Sequence, residues 1–188
     1  MMWVRCLFVL GWMTGAAHAV AEDAAPLHVM VIDEDAQDWI VLQNKSDCAT
    51  VSGHARVDFH ASRGGVLIDT EPGGAGTRDP AAVEVLSGPG VVGRVEDGAR
   101  SIDIAVHGLP PQGQVIVTLD IDNERGWFEN ARVVATPDDI RGSVAEFTTP
   151  GPDGFTTRGV LADGRLAILP VAASCDDGVS DPSATPMS

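Results

Sequence analysis

At 188 residues the chain has the size of one ordinary domain, and 12 Lys and Arg against 27 Asp and Glu give it a formal charge of −15. So acidic a surface repels nucleic acid and anionic lipid, which makes both poor partners; it suits a cation or a basic partner, or simply keeps the chain in solution. Three cysteines, none in a C-x-x-C pair, leave a zinc ribbon or a thioredoxin-type centre unsupported.

In chain order, residues 1–19 read as an export signal. Arg5 precedes the apolar run 6–13, and Ala17-His18-Ala19 has the small-x-small form that a signal peptidase cuts. The run is too short for a stable anchor, which needs about 20 apolar residues. Cleavage after Ala19 removes Arg5, the one charge of that stretch, and takes −15 to −16. It also removes Cys6, leaving Cys48 and Cys175, which allow a single internal pairing. An oxidising compartment predicts that disulfide, with Cα atoms within about 7 Å; the alternative is two separate buried thiols.

Residues 20–26 are expected to be a linker, residues 27–175 a single β-sandwich domain, and residues 176–188, small, polar and proline-containing, a disordered tail. Within the domain, strands are predicted over 27–32, 38–43, 54–61, 65–68, 83–86, 91–92, 101–106, 115–121, 131–135, 144–148, 155–160 and 165–169. Gly, Pro, Asp and Asn separate them, with turns at Pro110-Pro111-Gln112-Gly113 and Thr136-Pro137-Asp138-Asp139. Over 54–61, Ala55, Val57, Phe59 and Ala61 take one face and His54, Arg56, Asp58 and His60 the other, the period of a half-buried strand. The same period over 101–106 and 115–121 predicts one core shared by Val57, Phe59, Ile102, Ile104, Val115, Val117 and Leu119. No sustained 3.6-residue apolar pattern interrupts the series, so the fold class is all-β, an antiparallel sandwich of the immunoglobulin-like kind.

Catalytic motifs are absent: no G-x-S-x-G, no H-E-x-x-H, no phosphate-binding loop. His54 and His60 lie about 20 Å apart along one strand, too far to share a metal, and are expected in solvent. Asn44-Lys45-Ser46 matches a glycosylation acceptor. Trp39, inside a strong strand, is expected in the core, and Trp127 with Phe128 at a sandwich end.

The acidic strand ends carry the one constellation with a mechanism. Asp120 and Asp122 point to one side by strand period, Glu124 follows at the turn, and Asp69 ends another strand before Gly73, Gly74 and Gly76. Calcium needs six to eight oxygens, which clustered carboxylates and backbone carbonyls supply; Asp69, Asp120, Asp122 and Glu124 are therefore the candidate metal ligands. Asp33 and Asp35 form a further acidic turn. The plain alternative is that Asp and Asn sit here as ordinary turn residues.

Several of these stretches also carry a resemblance. Residues 42–48 (Leu-Gln-Asn-Lys-Ser-Asp-Cys), 65–70 with Gly73-Gly74-Ala75-Gly76, Val95-Glu96-Asp97-Gly98, and Leu109-Pro110-Pro111-Gln112-Gly113 leading to 119–123 resemble the short exported bacterial proteins labelled aggregation factor core protein. The resemblance covers roughly 27–169. It implies an exported sandwich with a role in adhesion, and the chain departs from it at Asp122-Asn123, where two adjacent acids are usual. The leading expectation is an exported, periplasmic or extracellular, non-enzymatic module that associates with an unknown protein or cell-surface partner, with calcium assisting and no membrane span. The alternatives are an exported hydrolase with an unrecognised cross-fold site and a purely structural periplasmic protein.

Overall fold

The computed structural model describes residues 24–34, 37–76, 80–124, 134–152 and 154–175. Residues 1–23, Asp35, the Trp127–Phe128 pair, 131–133 of the strand expected at 131–135, and the tail 176–188 lie outside them.

In chain order the strands are β1 (Ala24–Ile32), β2 (Asp38–Asn44), β3 (Ala49–Thr50), β4 (Gly53–Asp58), β5 (Val66–Asp69), β6 (Glu84–Ser87), β7 (Gly90–Val92), β8 (Ser101–Val106), β9 (Gln114–Asn123), β10 (Val144–Thr148), β11 (Thr156–Val160) and β12 (Leu166–Ser174), with a single helical turn α1 (Pro137–Ile140) after β9. They form two antiparallel sheets: a seven-stranded one ordered β3-β12-β1-β2-β9-β5, with β6 also paired to β9, and a five-stranded one ordered β11-β10-β4-β8-β7. The chain is an all-β sandwich.

Alternation decides what each sheet buries. Leu27, Val29 and Val31 of β1, Ile40 and Leu42 of β2, and Val115, Val117, Leu119 and Ile121 of β9 point inward from the larger sheet. They meet Ala55 and Val57 of β4, Phe59, Ile102 and Ile104 of β8, and Ala145 and Phe147 of β10. Each Val, Leu, Ile or Phe among them contributes about 1.5–3 kcal/mol by leaving water. The seven residues expected to share a core all belong to this cluster.

Three local expectations change. β1 begins at Ala24, inside the stretch read as linker, because β12 offers it an edge: Ala24 pairs with Ala172 and Pro26 with Pro170. Trp39 is not a core residue; Ile40 and Leu42 face inward, so alternation sends Trp39 to the outer face, half-buried. β4 stops at Asp58, and Ala61 is exposed in the turn that follows. At Thr136-Pro137-Asp138-Asp139 the turn winds into α1, because Thr136 and Asp139 form a reciprocal capping box and Pro137 is pre-set for the first helical position. Among the described residues no helix is long and apolar enough to cross a membrane.

Candidate metal centre

β5 and β9 run antiparallel, with Ile68 opposite Ile121, Asp69 opposite Asp120 and Leu67 opposite Asp122. Ile68 and Ile121 face the core, so Asp69, Asp120 and Asp122 face the other way, on the outer surface of the larger sheet near one end of its strands. Asp69 and Asp120 are a direct cross-strand pair and Asp122 is their neighbour two residues along. One carboxylate oxygen from each lies within 4.8 Å of the other two. Two oxygens on opposite sides of an ion at about 2.4 Å stand about 4.8 Å apart, so the triad has the span of one calcium-sized shell.

Although the triad is on the outer face, it is not open to solvent. Asp69 is 0% and Asp122 1% exposed, and Asp120 is half-buried. The chain leaves the edge of β9 after Asp69 and rejoins it at Glu84, so β5 and β6 are two parts of one interrupted edge strand. The glycine loop lies in that excursion and folds over the acids. A Cβ on Gly76 would overlap the Asp122 carboxylate and stand 2.8 Å from Asp69 Oδ2. Only glycine lets the backbone come so close. At Gly74 a Cβ would overlap the carboxylate of Asp97, which holds the loop down by accepting hydrogen bonds from the backbone N–H of Thr70 (3.0 Å) and Ala75 (2.7 Å).

Those bonds fix the charges. The Thr70 N–H, helped by Asp69 and the Ala75 N–H, holds Asp97 below the usual carboxylate range. Asp69 goes the other way: burial first, then the adjacent Asp97, with Asp120 beyond, push it up to about 6. A second buried acid lies at the same end. Asp38, 2% exposed at the start of β2, accepts hydrogen bonds from the N–H of Ile121 (2.6 Å) and Glu34 (3.1 Å). Burial pushes it up to about 7 against those two bonds, with Asp33 and Asp120 adding to the rise.

Not every expected ligand joins the triad. β9 ends at Asn123, and the Glu124 carboxylate pairs with the Arg100 guanidinium. Asn123 turns to the opposite side, where its amide donates to Asp139 Oδ2 (3.2 Å). Asp33 sits beside Asp38. Asp38 and Asp97 are the acids that the sequence did not single out.

The other sequence features resolve as follows. Cys48 and Cys175 form the disulfide, with Cα atoms 4.5 Å apart across a separation of 127 residues, beside the β3–β12 ladder. Asn44 is 0% exposed; its amide donates to the carbonyls of Cys48, Leu109 and Pro110, which closes the glycosylation acceptor in the folded protein. His54 and His60 are exposed, and His60 leans on Asp58 at 2.8 Å. A groove of about 340 Å³ beside Ile32, Asp33, Glu34, Pro137, Arg165 and Leu166 does not take in the triad. No protein-family model, curated protein or solved structure matches this chain.

Proposed function

We propose that this chain is an exported, non-enzymatic β-sandwich module that takes one calcium ion at Asp69, Asp120 and Asp122 and serves in association at the cell surface. The observation that carries the reading is the convergence of three carboxylates from two adjacent strands on one point, under a loop whose glycine admits the backbone beside them. Three acids so close repel one another unless a cation or a proton stands among them, and hard oxygen donors favour calcium or magnesium over softer metals. The Cys48–Cys175 disulfide supports an oxidising, exported setting, and the resemblance to the aggregation factor core proteins points to adhesion.

Extracellular calcium modules work near 10⁻⁴–10⁻³ M, so weak affinity suffices outside the cell. At ten times the dissociation constant, binding stabilises the fold by about 1.4 kcal/mol. The test is a thermal melt in millimolar calcium against magnesium at equal ionic strength. A rise in midpoint under calcium alone is expected; no rise, or an equal rise under both ions, overturns the reading.

A further inference from the structure

On its outer face the larger sheet departs from the usual pattern of an antiparallel sheet, which turns a polar side to water. Strand register places Leu166, Met30, Val41 and Ile116 side by side across β12, β1, β2 and β9, with Val41 6% exposed and the other three half-buried. Trp39 and the 54%-exposed Ile168 continue this surface on either side. From β12 to Thr118 of β9 the outward residues include no Lys, Arg, Asp or Glu. The one titratable group on these strands, His28, is pulled below its ordinary value by burial and then by Lys45, which follows β2 at the edge of the face, and both favour the uncharged ring.

We propose that this face is a homodimer interface, covered by the same face of a second copy. Charge selects the occupant. A chain at −15 repels its own copies, and this is a broad face on which they can meet without bringing formal charges together. The charges at its rim are mixed, Lys45 at one end and Asp33, Glu34 and Arg165 at the other, so a basic partner gains little net attraction from it. Size agrees: four strands about 4.8 Å apart with a rise of about 3.3 Å per residue make a face of roughly 20 Å by 20 Å. Two such faces hide on the order of 1,000 Å², the low end for a specific interface, so the dimer is weak. The acids also fix its orientation. Asp69, Asp120 and Asp122 lie at one end of the strands, and a two-fold axis running across the strands, along the Leu166–Ile116 row, sends the two acidic ends apart.

Sedimentation of the purified protein from about 1 µM to about 1 mM, without calcium, tests the inference independently of the cation reading. A concentration-dependent dimer is expected, and salt should strengthen it several-fold by screening the like net charges. Ile168→Lys at an exposed place on the face and Ile116→Lys within the row should each weaken it about tenfold or more, because burying an unpaired charge is costly. Val160→Lys, the same change on the outer face of the smaller sheet, should leave it unchanged; melts of all three verify folding. Four results would overturn the proposal: a monomer throughout, a dimer weakened by salt, equal weakening by Val160→Lys, and a monomer that floats with neutral phosphatidylcholine vesicles.

Discussion

Across the outer face of the smaller sheet, Arg158, Glu146, Arg56 and Asp103 stand side by side on β11, β10, β4 and β8; across the larger sheet the corresponding row is Leu166, Met30, Val41 and Ile116. The first row alternates in charge, with Arg56 to Asp103 at 2.9 Å and Arg158 to Glu146 at 3.5 Å. It satisfies itself and asks nothing of a partner. The second row is apolar, and further along β9, at the end of the strands, the same face carries three acids that repel one another. The same two-residue period built both faces, so alternation fixes which residues face out, while composition decides whether that surface is finished.

Mutating the middle of each row separates the two cases. Val41, 6% exposed although it faces outward, should cost about 2 kcal/mol when cut to Ala, as a core residue would. Arg56→Ala removes exposed ion pairs and should cost less than about 1 kcal/mol, an amount that salt reduces. Chemical denaturation of both variants measures the difference; equal costs would break the comparison.

Between these in size comes the acidic end. Asp122→Asn removes one of three converging charges, so the ion-free protein should gain about 1 kcal/mol at pH 8 while losing its calcium response. If the acid were only a turn former, neutralising it would lower the melting midpoint instead. The pH profile adds a sign. Asp38 and Asp69 hold their protons in the fold to about 7 and about 6, above the unfolded value of 3.8. The folded state therefore binds more protons across that interval, and their contribution is full below pH 4 and lost as pH rises through the folded values. Melts without calcium should fall from pH 4 to pH 8, and calcium should restore part of the loss at the upper end only. Calcium affinity itself should drop about tenfold per unit below about pH 6, where Asp69 takes back its proton.

Much of this was legible in the residues, for a physical reason. Where one face is apolar and the other polar, as over 54–59 and 101–106, period two names the core directly. Trp39 was misassigned because β2 is apolar on both faces, and periodicity cannot choose between them. Asp120 and Asp122 announced themselves by alternation, and Asp69 by its place at a strand end. Glu124 kept the period, but the strand ended one residue before it. Asp97 reaches the site from a turn 27 residues beyond Thr70, and no local pattern carries that information. Asp38 looked like a turn residue before an apolar run; only the register of β2 on β9 shows it taking over a backbone bond to Ile121.

The account rests most on the cation, and equilibrium dialysis against calcium addresses it directly. We expect one calcium bound per chain at pH 8, with a dissociation constant on the order of 10⁻⁴–10⁻³ M. That binding should be lost in Asp122→Asn and retained in Glu124→Gln, whose carboxylate is engaged by Arg100. No bound calcium at millimolar concentrations, or binding that survives Asp122→Asn unchanged, would contradict it.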